Sequence, residues 1–392
     1  MKQRGEKVDA KQVVLPHSKA KLDLYKNYLE HYLRVLGHAD FCTKINLYDI
    51  YCGMGQYDDG NFGSPLITNE CIKESIIQLE NNGKVRKPIS VTINDHKKEK
   101  INNVINLLKE RQIQGCSYSY HNEDANVMLD RVSTEVNSFE GTERNLVFID
   151  PYGYSNITKE KLYHLLKNEA TEVILFLPIS QMYRFSEIAL NDTERTCYEQ
   201  LRKFIFSFFP ANHKIHSIKL SGNLEFIYEI KNALRFDNQF FSCSHYIERD
   251  KGNYYALFFI TSNMYGLEKM VDSKWALDPI KGKGFDQKRS GGMFEAQFQE
   301  FDNKQQIEFL KELILKYLQK NGHISNDEIY VLGLMNEFRP KDVVSVIKGF
   351  MNGGRVEGYK SSGQKLVGND NLYINYQQYK WNANKIIFKF IR

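Results

Sequence analysis

No long apolar run occurs in these 392 residues, and no stretch approaches the roughly 18 uninterrupted apolar residues that a membrane helix requires. The N-terminal stretch, MKQRGEKVDAKQVV, is charged and lacks an apolar core, so it does not read as a signal peptide. The six cysteines (Cys42, Cys52, Cys71, Cys116, Cys197 and Cys243) include no C-x-x-C pair. Their scatter argues against a zinc ribbon and against a disulfide framework, so the expectation is a reducing cytoplasm and no metal site. Internal repeats and low-complexity runs are absent as well. Charge of one sign is scarce: the net value of +5 is too mild to imply a polyanionic partner by itself. After residue 302, however, 14 Lys and Arg stand against 8 Asp and Glu, so the tail carries the whole excess.

What is present is an ordinary globular composition, 42% hydrophobic and 26% charged, at a length that suggests about two or three domains. The organising stretch is Asn46 to Ile67, NLYDIYCGMGQYDDGNFGSPLI. A short β-favouring run, Leu47 to Tyr51, stops at Gly53 and Gly55, where the backbone can turn tightly and bring bare N–H groups close to a ligand. Asp49 lies inside that strand, where its carboxylate can receive a cation or pin the loop.

The flanking chain alternates helix and strand. Residues 1–15 read as a polar arm, and His17 to Leu36 as an amphipathic helix whose stripe is Leu22, Tyr25, Tyr28, Leu29, Tyr32, Leu33 and Leu36. Lys19, Lys21 and Lys26 fall off that stripe; either they form a solvated basic edge or His17 and Lys19 reach toward the next strand's site. A helix over Pro65–Asn81 precedes a second strand, Ile89–Ile93, that closes on Asn94-Asp95. An acidic residue there accepts hydrogen bonds from a ribose diol in nucleoside-binding α/β folds. The 40 residues from Gly55 to Asp95 exceed the usual spacing near 20, which an inserted lip over Gln56–Pro65 would explain. A helix over Lys97–Arg111 leads to a third strand, Ser117–Tyr120, and to Asp124, placed either to read an adenine edge or to cap the next helix, Asn126–Val136.

The fourth strand, Asn145–Ile149, is apolar throughout after its first residue, as a strand buried on both faces should be. It ends in Asp150-Pro151-Tyr152-Gly153-Tyr154, where a carboxylate, a carbonyl and an aromatic ring meet at one strand end. A helix over 158–169 and a fifth strand, Glu172–Leu177, follow. His245–Glu248 and Tyr254–Ile260 are joined too tightly to be anything but antiparallel. Helix Gly266–Ala276 closes this part. Residues 278–302, rich in Gly, Lys, Asp and Gln, read as a linker. Helices over Lys304–Gln319, Asn326–Leu334 and Arg339–Asn352, followed by a terminal hairpin, describe a winged helix, which serves nucleic-acid contact or protein docking alike.

Several of these motifs, read together, resemble the three-Cys-motif partner proteins. They are Asp49-x-x-x-Gly53-x-Gly55-x-Tyr57, Gly63-Ser64-Pro65-Leu66, Phe148-Ile149-Asp150-Pro151-Tyr152-Gly153, His17-Ser18-Lys19 and Tyr255–Met270. The resemblance spans about residues 15 to 280. The strand–loop pattern is also similar to that of ribosomal-RNA adenine-N6 methyltransferases, although Tyr152 stands where their D-P-P-Y motif has a second proline. The resemblance implies an α/β, Rossmann-like class I methyltransferase sheet over residues 16–280, with parallel strands and an antiparallel final hairpin. A linker over 281–302 and a winged-helix-like module over 303–392 would follow. It implies S-adenosylmethionine as cofactor, held by Asp49, Tyr51, Gly53, Gly55, Tyr57 and Ser64, with Asp95 at the ribose and Asp124 at the adenine. Asp150, Pro151 and Tyr152 would form the catalytic motif, and Lys19 and Tyr154 would meet the substrate. The implied partners are a nucleic acid and a three-Cys-motif, radical-SAM-like protein; no membrane is involved.

The reaction expected is methyl transfer to an exocyclic amine of a nucleic-acid base. Asp150 and the Pro151 carbonyl would hold the amine hydrogens while Tyr152 or Tyr154 stacks on the base, flipped out of any duplex. Two other readings stay open: a non-catalytic adaptor that binds the cofactor or nucleic acid, and a nicotinamide oxidoreductase. Against the latter stand the long Gly55–Asp95 spacing, the antiparallel last strand and Asp58 where G-x-G-x-x-G needs its third glycine.

Overall fold

The computed structural model describes residues 14–139, 141–249, 252–286, 295–367 and 370–391. All but the last two residues of the arm expected at 1–15 lie outside the described residues. Helix α1 (Pro16–His38) leads into β1 (Lys44–Asp49), α2 (Ser64–Asn81), β2 (Ile89–Asn94), α3 (Lys98–Lys109), β3 (Cys116–His121), α4 (Ala125–Ser138), β4 (Glu143–Ile149), α5 (Lys159–Leu166) and β5 (Thr171–Leu177). Three helices, α6 (Ile179–Asn191), α7 (Glu199–Phe208) and α8 (Asn223–Ala233), precede the hairpin β6 (Phe241–Glu248) and β7 (Tyr254–Thr261), then α9 (Met264–Leu277) and a short β8 (Gly284–Asp286).

These eight strands form one sheet in the order β3-β2-β1-β4-β5-β7-β6-β8. β1 to β5 run parallel, and β7 enters antiparallel between β5 and β6. This is the sheet expected from the sequence, with its antiparallel final hairpin. The strand order reverses between β1 and β4, and in open α/β sheets the crevice at such a reversal, outside the carboxyl ends of the strands, is where ligands bind.

The sheet is covered on both faces, and the strands show it residue by residue. Leu47, Leu146, Phe148, Ile174, Phe176, Leu257 and Phe259 join the core under α1, α2, α3 and α9. Their neighbours Tyr48, Val147, Ile149, Val173, Leu175, Ala256 and Phe258 join the core under α4 to α8. Successive side chains of a strand point to opposite faces, so a run that alternates between two cores must be apolar throughout.

Within the stretch expected as a linker, β8 pairs with β6. The Asp278 carboxylate gathers the backbone N–H groups of Lys281, Lys283 and Gly284 at 3.1–3.2 Å. Gly284 is required by proximity, because a Cβ there would lie 2.4 Å from the Tyr246 carbonyl oxygen. Residues 287–294 of that stretch lie outside the described residues.

The remaining chain comprises α10 (Glu295–Asn321), β9 (His323–Ser325), α11 (Asn326–Met335), α12 (Pro340–Asn352), β10 (Val356–Lys360), α13 (Tyr376–Trp381) and β11 (Ile386–Phe390). Its three strands pair antiparallel in the order β10-β11-β9. This unit packs on α9 and β6: Tyr330 donates to Glu268 at 2.7 Å, and Tyr376 stacks on Tyr265 with ring centroids 4.7 Å apart. Among the described residues, no helix is long and apolar enough to cross a membrane.

Candidate functional site

The carboxyl ends of β1, β2 and β4 bring Asp49, Asp95 and Asp150 to one edge of the sheet. After Asp49 the chain turns through Gly53 and Gly55, whose φ angles of 62° and 79° lie in the region that favours glycine. A Cβ on Gly55 would meet Val104 at 2.9 Å, so α3 allows the loop no side chain there. The following segment folds back through the bridge Gln56–Phe62, and Gly63 N–H closes it by donating to the Gly55 carbonyl at 2.8 Å. The lip expected over Gln56–Pro65 is therefore a closed loop set directly before α2.

Asp49 is 4% exposed, and neither of its carboxylate oxygens has a hydrogen-bond partner. Burial pushes its pKa up to about 7; the Ser64 hydroxyl and the Tyr51 N–H stand near enough to offset part of that without reaching hydrogen-bond geometry, while the charges of Asp150 and Asp95 add to it. The Tyr51 hydroxyl is likewise buried with no partner in hydrogen-bond geometry, and burial raises it to about 12, with the nearby Asn156 side chain offsetting part of the rise. Two orphaned polar side chains beside a glycine turn form a cradle that suits a ligand carrying positive charge and hydrogen-bond donors.

Asp95 is engaged by its own chain. It accepts from Lys97 N–H at 2.9 Å and Gly53 N–H at 3.3 Å, and the Lys100 ammonium stands 3.8 Å from its Oδ2. Lys100 in turn donates to the Tyr152 hydroxyl and sits 4.4 Å from the centre of that ring, which is otherwise 65% exposed. Asn94 fastens the neighbouring loops, donating to the carbonyls of Ile50 and Glu123 at 3.1 and 3.2 Å and accepting from Glu123 N–H at 3.0 Å. Between these loops lies a cleft of about 200 Å³ whose lining includes Tyr51, Asn94, His96, Asp124, Pro151 and Tyr152. Asp124 caps α4, accepting from Asn126 N–H at 2.8 Å, and still borders the cleft, so the capping and ligand-facing readings coexist.

Asp150 carries an ion pair with Lys21 of α1. Burial works against the Lys21 ammonium, but the charge and hydrogen bond of Asp150 outweigh it and hold the pKa above the ordinary lysine value, with Tyr57 and Asp49 adding to the effect. The ammonium lies 4.9 Å from the centre of the Phe176 ring, which stacks on Tyr255 at 5.4 Å, and Tyr255 stacks on His17 at 5.7 Å. The structure thus gathers Asp49, Tyr51, Gly53, Gly55, Tyr57, Ser64, Asp95, Asp124, Asp150, Pro151 and Tyr152 around one edge. It does not bring Lys19 there: that side chain is exposed, in a separate hollow with Asp23, His245 and Phe285. Tyr154 packs edge-on against Phe204 at 6.1 Å, on the α7 side.

Lys21, Lys100 and Asn94 are site residues that the sequence pattern does not single out. For Lys21 a signal existed. Four-residue steps back from Tyr25 reach Lys21 and then His17, and all three are buried with Tyr28 and Tyr32.

No family model matches the chain, and no curated protein matches its sequence. Among solved structures, WbdD is similar at 12% identity and a TM-score of 0.32 over 62% of this chain, which spans 40% of the length of WbdD. Magnesium protoporphyrin IX methyltransferase from Synechocystis PCC 6803, with bound SAH, is similar at 11% identity and TM-score 0.28, over 64% of this chain and 89% of that one. Loganic acid methyltransferase with SAH is similar at 10% identity and TM-score 0.33, over 74% and 87% of the two chains.

Proposed function

We propose that the chain is an S-adenosylmethionine-dependent methyltransferase acting on an exocyclic amine of a nucleic-acid base. The observation that carries this reading is the buried, unpartnered Asp49 carboxylate beside the Gly53–Gly55 turn at the strand-order reversal. S-adenosylmethionine, when bound, supplies an electrophilic methyl group on a sulfonium. Asp49 and Tyr51 would hold the cationic, donor-bearing end of that molecule, and the cleft toward Asp124 would take its nucleoside. Asp150 and the Pro151 carbonyl would orient the acceptor amine, and Tyr152 would stack on the base. Catalysis would be mostly orientation, since displacement at a methyl group asks little acid–base work of the protein.

The order of helices and strands after residue 303 supports a winged-helix-like module contributing to nucleic-acid contact, with a three-Cys-motif, radical-SAM-like protein as the proposed partner. One observation favours the non-catalytic adaptor as a second reading: Asp150, the expected amine acceptor, is already paired with Lys21.

Calorimetry with S-adenosylmethionine on wild type, Asp49→Ala and Asp150→Ala tests the cofactor half. Micromolar binding that Asp49→Ala abolishes and Asp150→Ala spares is the expected result. A wild-type chain that binds no S-adenosylmethionine sinks the methyltransferase reading.

A further inference from the structure

Lys21 has no place among the expected site residues, yet it is 9% exposed and paired with the carboxylate that would hold the acceptor. A buried lysine is retained only where a partner compensates the loss of water, and here that partner lies at the end of β4. The ammonium engages Oδ2 of Asp150, and among the described residues no group donates to Oδ1. Phe176 lies 4.9 Å from the ammonium and, with Tyr255, forms a pair of rings within 7° of parallel. The end of β4 therefore holds an N–H donor and a carboxylate acceptor side by side, beside the buried Phe176 ring and next in the chain to Pro151 and Tyr152 of the cleft.

We propose, resting on the methyltransferase reading above, that Lys21 is the positioning and specificity-determining residue of the acceptor side. With Asp150 it reads a base that carries an amine next to a ring nitrogen bearing a lone pair. Asp150 Oδ1 accepts from the amine, and a remaining N–H of Lys21 donates to the ring nitrogen. Adenine (N6 beside N1) and cytosine (N4 beside N3) present that pattern on their pairing edge. On the same edge guanine presents N1–H beside its amine, which would face the Lys21 donor, its lone-pair N3 lying instead on the sugar edge, and thymine has no amine. In the transfer, the amine lone pair forms the N–C bond and the methyl–sulfur bond breaks with its electron pair passing to sulfur. One amine proton leaves to Asp150 and from there to water. A lysine that also turns Asp150 toward the amine accounts for the ion pair without making the site inert.

The test uses the full chain, tritiated S-adenosylmethionine and single-stranded oligonucleotides in which the only variable base is adenine, cytosine, guanine, thymine or amine-free purine, with free adenosine and cytidine as parallel arms. Methylation is expected with adenine or cytosine and not with guanine, thymine or amine-free purine. Lys21→Met should keep the S-adenosylmethionine affinity of the wild type and lose about 100-fold in transfer rate at saturating acceptor, the scale of a misplaced reactant. Lys21→Gln, which retains an N–H donor, should recover part of that loss, and it replaces Lys21→Met if the latter does not fold. Transfer to free nucleosides alone would support the same edge recognition and identify a small-molecule source. Lys21 variants that transfer at the wild-type rate, or that lose cofactor binding, overturn the assignment. So does a wild type that binds S-adenosylmethionine yet methylates none of these probes, an outcome that leaves the cofactor reading standing. Failure of wild-type cofactor binding is the distinct failure of that reading itself.

Discussion

At the scale of single residues, Asp49 is the group of the candidate site whose ionisation burial shifts into the neutral range. Its pKa rises from the ordinary 3.8 to about 7 because burial penalises the charge. The folded chain therefore binds this proton more tightly than the unfolded chain. The stability it contributes is complete below about pH 4 and is lost as pH rises through about 7. A cationic ligand needs the charged carboxylate, so below pH 7 its binding must expel a proton. S-adenosylmethionine affinity should rise up to about tenfold per pH unit toward pH 7 and then level off. Calorimetry between pH 5.5 and 8.5 measures this, and Asp49→Asn should bind weakly with a flat profile. The unliganded Asn variant should also resist urea better than wild type at pH 8 but not at pH 4. A wild-type affinity independent of pH would show that Asp49 does not meet the ligand's charge. Asp49 was legible because its spacing to two glycines is local in the chain. For Lys21 only the burial was legible, from its four-residue spacing to His17 and Tyr25; its role was not, because the amphipathic pattern makes no provision for a charge neutralised at the end of a strand 129 residues away.

Among elements, the strands were the most readable part. Burial on both faces makes their apolar runs nearly continuous, and polar residues at their ends, such as Asp95 and Asp150, punctuate them. What the strand ends do to one another was not readable. Asp95 was expected to face a ribose, and it is fully buried, bound to the N–H groups of the Gly53 turn and the start of α3, with Lys100 beside it. Lys100 on α3 stands beside that carboxylate and is itself held by Tyr152 after β4, so a diol reaches Asp95 only when Lys100 moves aside. Tyr152→Phe removes the hydrogen bond that holds them, a contribution of about 1 kcal/mol, and should tighten S-adenosylmethionine binding about fivefold. Titration calorimetry of the variant against wild type decides it; equal or weaker affinity would mean that the Lys100–Tyr152 contact does not oppose the ligand.

For the whole molecule, the question is what ties the C-terminal unit to the sheet. Glu337, in the turn between α11 and α12, has a φ of 68°, a conformation unfavourable for a side chain-bearing residue. That turn is held because the carboxylate pairs with Lys231 of α8 at 2.7 Å and with Lys274 of α9, while its carbonyl accepts from the Trp275 indole N–H at 2.8 Å. The Arg339 guanidinium covers the same indole at 4.2 Å. Burial alone would raise the Glu337 pKa, but the two ammonium groups outweigh it and hold the carboxyl down to about 2. This contribution to stability is present above about pH 4.5 and is lost as pH falls toward 2, opposite in sign to that of Asp49. Nothing in the sequence joins residues 63 and 106 positions apart into one cluster, so it could not be read there. Glu337→Gln leaves two buried ammonium groups without their counter-charge and should cost about 3–5 kcal/mol. The chain has two tryptophans, and Trp381 is 70% exposed, so a red shift of emission during urea unfolding reports Trp275 leaving its buried site. In Glu337→Gln that shift should come at lower urea than in wild type at pH 7, and the difference should shrink as the pH approaches 2. Because the cluster lies away from the Asp49 edge, S-adenosylmethionine affinity should hold wherever the variant stays folded. An unchanged urea midpoint at pH 7 would mean that apolar packing, rather than this ion cluster, fixes the C-terminal unit on the sheet.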